Sequence, residues 1–260
     1  IDSINLQYVV AGSSDGALYV WDFQSGAVIR KIVGAHLGPM SSMCVFMRSN
    51  TLHAISCGDA MEMYCWNCIT GEKVKHFTGH RFGKINCTTI LDPQQQNKQN
   101  NNLSLVTKQA KATKSSSPLL LFSGGEDKSI RVWDVITTSS ITRLDGHDDQ
   151  VTDVAAYYQS SSHLAAKVAH NTNGDSTTPS TVGAMVTTNV MIVSGSRDGI
   201  VRTWDLHSGT TTHVLAGHLA PICSISYVFG IYPTVISCST DGVVKTWNSI
   251  TGKPMRSWAY

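Results

Sequence analysis

The sequence predicts an all-β protein built from repeated antiparallel sheets. A tryptophan followed by Asp or Asn recurs five times, at Trp21, Trp66, Trp133, Trp204 and Trp247. The intervals between them are 45, 67, 71 and 43 residues. The first and last intervals are one period long, and the two between them are one period plus an insertion. Short stretches of alternating apolar and polar residues, separated by turns containing glycine, surround each tryptophan and are typical of strands. A period of about 40–45 residues with such marks predicts a β-propeller of four-stranded blades.

Other residues keep a fixed distance from each tryptophan. A serine stands ten residues before it in four units, an aspartate stands six residues before it in four units, and a Gly-His or Ala-His pair opens four units. Ala11 and Ala60 stand at the two places where the serine or the aspartate is missing. The marker positions are Ser56, Ser123, Ser194 and Ser237; Asp15, Asp127, Asp198 and Asp241; and His36, His80, His147 and His218.

On these residues the chain resembles the WD-repeat family, and the resemblance covers nearly all of it apart from the insertions. The resemblance implies a propeller with five visible blades. Because rings of this family usually have seven blades and each blade buries its faces on its neighbours, it also implies that these five are part of a larger ring. A ring closed by five or six irregular blades is the alternative.

The repeat divides residues 1–260 into five blades of one propeller domain. The first blade is incomplete, because a clear first strand and the opening histidine are missing. Two polar insertions lie between the first and second strands of the third and fourth blades, and we expect flexible loops there, since such a composition buries too little apolar surface to become ordered. The blades cover residues 1–34, 35–78, 79–145, 146–216 and 217–260, and the insertions cover 92–117 and 159–189.

The resemblance gives the repeated polar residues a structural role. In a WD-repeat blade the turn aspartate binds the histidine, the histidine binds the serine hydroxyl, and the hydroxyl binds the indole N–H. Such a relay satisfies buried groups that would each cost a few kcal/mol if left alone. The second blade lacks its aspartate. Complete relays are expected at His80, Ser123, Asp127 and Trp133; at His147, Ser194, Asp198 and Trp204; and at His218, Ser237, Asp241 and Trp247.

A serine, a histidine and an aspartate in one unit also suggest a hydrolase. A catalytic site, however, needs one nucleophile with an oxyanion hole, whereas this trio recurs three times beside a tryptophan. Cys65 and Cys68 have a spacing seen in metal and redox sites, but no second pair of ligands completes a tetrahedral site. We therefore predict no catalytic residue, no metal and no cofactor.

Composition narrows the choice of partners and compartment. The formal net charge is +2, which gives no electrostatic indication of nucleic-acid binding, and no apolar run approaches the roughly 18 residues that span a bilayer. The Lys-bearing insertion 92–117 lacks the aromatic residues that stack on single-stranded bases. Seven scattered cysteines, an odd number, suit a reducing compartment. We expect an intracellular protein, cytoplasmic or nuclear, without membrane, nucleic-acid or small-molecule partners.

Residues beside the histidines and turn aspartates are the candidates for partner binding. They combine a basic and aromatic patch with an acidic pair, and both Arg and aromatic side chains are enriched in interface hot spots. Any single one could equally be a solvated loop residue. The candidates are Arg81, Phe82, Lys84, Glu126, Asp148, Asp149 and Arg197.

The resemblance implies a non-catalytic scaffold or adaptor that holds protein partners or peptide segments on one face of the propeller. A substrate-recognition subunit of a ubiquitin ligase is a narrower alternative, which would need an arginine cluster where the chain has only Arg81 and Arg197. An enzyme on a propeller scaffold is a second alternative. It would need unique polar residues outside the repeat, and the sequence offers none.

Overall fold

The computed structural model describes residues 7–59, 61–93, 118–159, 189–228 and 233–259. In these ranges the chain forms nineteen strands in five antiparallel sheets, which confirms the all-β prediction. The described part contains no helix with the length and hydropathy needed to cross a bilayer. The two predicted insertions lie outside the described residues except at their ends, where Gln159 and Asn189 belong to strands.

The sheets follow one another along the chain, and consecutive strands are hydrogen-bonded neighbours in each. The first sheet contains β1 (Tyr8–Gly12), β2 (Leu18–Asp22) and β3 (Val28–Ile32); the second contains β4 (Met40–Arg48), β5 (Thr51–Gly58), β6 (Glu62–Asn67) and β7 (Lys73–Thr78). The third contains β8 (Ile85–Leu91), β9 (Leu120–Gly125), β10 (Ile130–Asp134) and β11 (Ser140–Leu144); the fourth contains β12 (Val151–Gln159), β13 (Asn189–Ser196), β14 (Val201–Asp205) and β15 (Thr210–Leu215). The fifth contains β16 (Ile222–Val228), β17 (Thr234–Ser239), β18 (Val243–Asn248) and β19 (Pro254–Ala259).

We call the four strands of a sheet a, b, c and d. The first sheet has three strands, which align with b, c and d of the repeat, so the missing strand is the one that the sequence also lacks. The total number of blades in a complete ring stays a prediction.

The residue after each repeat tryptophan closes the turn between strands c and d. The carboxylate Oδ1 of Asp205 accepts the backbone N–H groups of His207 at 2.8 Å and Ser208 at 3.1 Å. Gly209 ends this turn with a φ of 68°, a backbone conformation that glycine adopts without strain. Asp and Asn both serve here because either side chain can accept from the following backbone. The same side-chain oxygen closes the turns at Asp22, Asn67, Asp134 and Asn248.

The hydrophobic core consists of four clusters, and each lies between two consecutive sheets. The repeat tryptophan of the later sheet is buried in each cluster, as Trp204 is between the third and fourth sheets. The second, third and fourth sheets therefore bury both faces, as blades do in a propeller. The four buried tryptophans are Trp66, Trp133, Trp204 and Trp247.

Glycines in strand b allow the sheets to approach closely. A Cβ atom on Gly124 would lie 2.4 Å from Cγ1 of Val151, and one on Gly195 would lie 2.4 Å from Cγ2 of Ile222. Real Cβ contacts do not occur at such distances. A side chain at either position would therefore push the neighbouring sheet away.

Hydrogen bonds between the strands a of neighbouring sheets also join these sheets. The hydroxyl of Ser42 in β4 accepts the backbone N–H of Thr88 in β8 at 3.0 Å. Two sheets further on, Oδ2 of Asp153 in β12 accepts the N–H of Ile225 in β16 at 2.7 Å. Burial raises the pKa of Asp153, although hydrogen bonds from the backbones of Ile225 and Val154 and from the Ser224 hydroxyl oppose the rise. Backbone groups of one strand a are thus satisfied by side chains of the preceding strand a.

Candidate protein-binding face

One end of the sheets carries both the turns between strands b and c and the segments that lead from strand d to the next strand a. These lie together because consecutive strands are antiparallel. Backbone hydrogen bonds join them, for example from the N–H of Glu126 to the carbonyl of Lys84 and from the N–H of Arg197 to that of Gln150, both at 3.0 Å. We call this end the top face.

The third sheet carries a relay between the top face and the core. Nδ1 of His80 lies 3.0 Å from Oδ1 of Asp127, and Nε2 lies 2.8 Å from Oγ of Ser123. The indole N–H of Trp133 donates to the same Oγ at 2.9 Å. All four residues are buried, so the relay satisfies polar groups that water cannot reach.

The fourth sheet repeats this geometry and shows how the protons are arranged. Nδ1 of His147 lies 2.9 Å from Oδ2 of Asp198, Nε2 lies 2.8 Å from Oγ of Ser194, and Trp204 donates to that Oγ at 2.8 Å. A carboxylate only accepts, so the proton of the neutral ring is on Nδ1, and the serine hydroxyl donates to Nε2. Every donor then meets an acceptor.

The electrostatics agree with a neutral ring. Burial lowers the pKa of His147, although the nearby Asp198 carboxylate opposes that effect. Burial alone would raise the pKa of Asp198, but hydrogen bonds from the His147 ring and the Ile200 backbone hold it below its usual value. In the third sheet, the hydrogen bonds from His80 and Ser129 likewise outweigh burial and hold the pKa of Asp127 far below its usual value.

The relay expected in the fifth sheet lacks one link. His218 Nε2 lies 2.8 Å from Oγ of Ser237, and Trp247 donates to that Oγ at 2.9 Å. Nδ1 of His218, however, lies 3.5 Å from Oδ2 of Asp241 and has no hydrogen-bond partner. That carboxylate oxygen accepts the backbone N–H of Leu219 at 3.0 Å. The expectation of a complete relay is therefore wrong at the link between His218 and Asp241, which lie within ion-pair distance but share no hydrogen bond.

The second sheet has the shortened relay that its sequence predicts. Nε2 of His36 lies 2.8 Å from Oγ of Ser56, and Trp66 donates to the same Oγ at 2.9 Å. Nδ1 of His36 is buried and has no hydrogen-bond partner among the residues that the structure describes. Burial lowers the pKa of His36, so the ring is neutral and leaves an unsatisfied group.

Replacing Ala60 by Asp is expected to raise the free energy of unfolding by about 1 kcal/mol, the usual net gain from satisfying a buried donor. Position 60 lies outside the described residues, but it stands six residues before Trp66, where the other relays have their aspartate. Urea unfolding of both proteins measures the change. An equal gain from Ala60→Asp in a chain that also carries His36→Leu would contradict this explanation.

The turn aspartates have a second function that the sequence did not reveal. Each accepts the backbone N–H of the residue that follows the relay histidine: Arg81 at 3.1 Å, Asp148 at 3.1 Å and Leu219 at 3.0 Å. Any residue except proline can donate this bond, so no particular residue type indicates it in the sequence. The relays therefore position the very residues that the top face presents to solvent.

The structure places the candidate binding residues along this face with unequal exposure. Arg81, Phe82, Asp148 and Arg197 are exposed, whereas Lys84, Glu126 and Asp149 are half-buried. Two of the half-buried residues are brought together, since Oε2 of Glu126 accepts the N–H of Lys84 at 3.2 Å. The carboxylate of Asp149 accepts the N–H of the next residue, Gln150, at 2.7 Å. Asp149 therefore shapes its own loop.

A cleft of about 650 Å³ opens on the top face between the second and third sheets. It is more acidic than the sequence suggested, because three carboxylates and one lysine line it. Asp59, Met61 and Glu62 were not among the candidates, since they stand at or beside position 60, where the sequence departs from the repeat. The lining residues are Asp59, Met61, Glu62, Thr78, Gly79, His80, Gly83, Lys84 and Glu126.

A family model described as "WD domain, G-beta repeat" matches residues 99–134, 138–205 and 209–248, which together make up more than half of the chain. The chain belongs to the WD-repeat family. The resemblance inferred from the tryptophan period is therefore confirmed.

Curated relatives of this WD-repeat chain include proteins from several fungi. The "CCR4-associated factor 4 homolog" of Vanderwaltozyma polyspora is 26% identical over 229 residues, which are 84% of this chain and 30% of the relative. "Mitochondrial division protein 1" of Neosartorya fischeri is 33% identical over 41% of this chain and 15% of the relative. "WD repeat-containing protein pop1" of Schizosaccharomyces pombe is 24% identical over 62% of this chain and 20% of the relative. The chain thus spans less than a third of the length of these relatives.

Proposed function

We propose that this chain is a non-catalytic scaffold or adaptor that binds protein partners on its top face. The observation that carries the proposal is the cleft between the second and third sheets, which combines three carboxylates with the exposed side chain of Met61. The name of one relative describes a factor associated with another protein. Membership of the WD-repeat family supports the same role.

The cleft favours a partner segment with a Lys or Arg side chain beside an apolar one. Asp59, Glu62 and Glu126 would attract a cation, and charge-assisted hydrogen bonds to carboxylates are among the stronger polar contacts. Met61, which lines the cleft, is 44% exposed, and Phe82, which precedes the lining residue Gly83 in the chain, is 56% exposed. In the partner segment, the apolar residue beside the Lys or Arg could contact both side chains. The methionine offers an adaptable apolar contact, and the phenylalanine offers an aromatic anchor.

The relay serines support a non-catalytic role. Ser123, Ser194 and Ser237 are fully buried, and each hydroxyl already accepts an indole N–H. A nucleophile needs access to substrate and room for an oxyanion. The acidic cleft also argues against a phosphorylated peptide as the occupant, because that ligand is bound through arginine clusters.

The cysteines support an intracellular location, in the cytoplasm or the nucleus. Burial raises the pKa of Cys57 and Cys65 to about 11 and that of Cys68 to about 12. These thiols stay protonated and unreactive at neutral pH. None of the seven cysteines is in a disulfide.

Selection from a library of displayed random peptides tests the proposed function. We expect enriched peptides to carry Lys or Arg beside an apolar residue, and binding of such a peptide to weaken at least tenfold in Phe82→Ala and in Glu126→Gln. Phe23→Ala is the matched control, because Phe23 is 63% exposed on a turn between strands c and d, at the opposite end of the sheets. Enrichment of acidic peptides, or an equal loss in Phe23→Ala, would overturn the proposal.

A further inference from the structure

Two arginines lie side by side on strands c and d of the third sheet. Arg131 in β10 pairs with Arg143 in β11, and residues that pair across antiparallel strands point to the same face of a sheet. The guanidinium carbon of Arg131 lies 5.9 Å from the ring centroid of Trp133, which is buried between the second and third sheets. Both arginines therefore point towards the second sheet.

The repeat explains the first of these arginines but not the second. The fourth sheet has the equivalent of Arg131 at Arg202, which also stands two residues before the repeat tryptophan. Arg202 pairs across strands c and d with Val214, so its cross-strand neighbour is uncharged. Arg143 therefore adds a cation that the repeat does not require.

The environment of this pair is unfavourable for two cations. Burial is the largest cause that lowers the pKa of Arg131, and the charges of Arg143 and Arg81 lower it further, against the carboxylates of Asp127 and Asp145. The Nε atoms of Arg131 and Arg143 are buried and have no hydrogen-bond partner among the residues that the structure describes. An anion stabilises partly buried guanidinium groups of this kind. We call Arg81, Arg131 and Arg143 the arginine cluster.

The carboxylates beside the arginine cluster do not balance its charge. Oδ1 of Asp145 lies 2.7 Å from Nη2 of Arg143, but the Asp145 side chain is 60% exposed, and exposed ion pairs contribute little. Asp127 belongs to the relay, where it bonds to the ring of His80. The charges that act on Arg131, together with its own, are three arginines and two carboxylates, which leave one net positive charge.

The arginine cluster is open to solvent and adjoins the top-face cleft. Arg81 is exposed, Arg131 is half-buried, and the side chain of Arg143 is 25% exposed although the second sheet packs alongside. Gly79 lines the cleft, and a Cβ atom on it would lie only 3.2 Å from Nη1 of Arg131. The acidic cleft and the arginine cluster therefore meet at Gly79.

We propose that the arginine cluster binds an Asp or Glu carboxylate of the same partner segment whose Lys or Arg enters the cleft. This inference rests on the proposed function and adds an acidic residue to the segment that is recognised. Guanidinium groups bind a carboxylate through paired N–H donors. One carboxylate cancels the net charge of the cluster, whereas a phosphate group, with a charge of about −1.5 to −2 at neutral pH, would exceed it.

Neighbouring sites of opposite charge also fix the direction of the bound segment. A segment that places its cation in the cleft can bring its carboxylate to the arginine cluster in only one chain direction, because the reverse direction puts like charges together. The acidic residue is therefore expected on one side of the Lys or Arg and not on the other.

A series of synthetic peptides tests the arginine cluster. Each peptide carries one Lys-Leu pair in a background of Gly and Ser, with a single Glu or Gln placed in turn at every other position, and binding is measured by fluorescence anisotropy. We expect Glu to bind about fivefold more tightly than Gln at a restricted set of positions on one side of the pair. Phosphoserine at those positions is expected to bind no more tightly than Glu.

Substitutions assign that preference to the cluster. Arg131→Gln and Arg143→Gln are each expected to abolish the advantage of Glu while leaving binding of the Gln peptide unchanged. Arg202→Gln is the matched control, because Arg202 has the same place in the fourth sheet as Arg131 but lacks the second arginine. This variant should retain the full advantage, and urea unfolding should show a similar stability cost for Arg131→Gln and Arg202→Gln.

The outcomes separate this inference from the proposed function. Equal binding of Glu and Gln peptides at every position, with binding still dependent on the Lys and on Glu126, would overturn the arginine site and leave the proposed function standing. The site is also overturned if Arg202→Gln abolishes the advantage as well, or if phosphoserine binds more tightly than Glu. Binding that does not depend on the Lys would overturn the proposed function and this inference together.

Discussion

Substitution of His147 by alanine is expected to lower the free energy of unfolding by about 2–4 kcal/mol. The change removes the ring that bonds to both Asp198 and Ser194, so the Asp198 carboxylate loses one of its donors and the buried Ser194 hydroxyl loses the acceptor of its proton. It also leaves a void beside Trp204, whose ring centroid is 6.0 Å from that of His147. Urea unfolding monitored by circular dichroism measures the loss.

The matched control for that substitution is His207→Ala. His207 is exposed on a turn between strands c and d, and only its backbone N–H is bonded there. The control should change stability by less than about 0.5 kcal/mol. A loss of unfolding free energy in His147→Ala no larger than that of the control would show that the relay contributes little.

Substitution of Gly195 by valine is expected to destabilise the protein by about 3 kcal/mol or more, at the upper end of overpacking costs. Its Cβ would lie 2.4 Å from Cγ2 and 2.9 Å from Cβ of Ile222, and 2.8 Å from Cδ1 of Ile225. Ile222 is β-branched and fully buried, so it cannot rotate away, and the fourth and fifth sheets must separate. Gly195→Ala should cost less but still be measurable.

A double-mutant cycle tests that explanation. Ile222→Ala removes the atom in conflict, so Gly195→Ala should cost less in that background than in the wild-type chain. Ser140→Val, on the exposed start of strand β11, is a control for adding valine to a strand without a neighbouring sheet. Additive costs of Gly195→Ala and Ile222→Ala would contradict close packing of the two sheets at this glycine.

The repeat made the relays predictable because it fixes distances in the chain. A serine ten residues before a tryptophan lies on the adjacent antiparallel strand, as Ser194 does beside Trp204, and the structure places both groups within hydrogen-bonding distance. The same spacing could not show that Nδ1 of His218 misses Asp241, because about half an ångström separates a bond from a gap. Sequence spacing sets which residues face each other, while side-chain orientation decides whether they bond.

The cleft was harder to predict than the relays because it belongs to no single blade. Asp59 follows strand β5 of the second sheet, Glu62 begins strand β6 of that sheet, and Glu126 comes from the third sheet. Only the packing of two sheets brings these carboxylates together. Exposed polar residues on turns carry no periodic signal, so the sequence identified Glu126 but not its acidic neighbours.

Hydrogen exchange of the six indole N–H groups, measured by nuclear magnetic resonance, tests most directly whether four of the sheets each contain a buried relay. The groups of Trp66, Trp133, Trp204 and Trp247 should exchange slowly, since each donates to a buried serine hydroxyl. Those of Trp21, which has Ala11 at the serine position, and of the exposed Trp258 should exchange quickly. Similar exchange rates for all six would contradict the account.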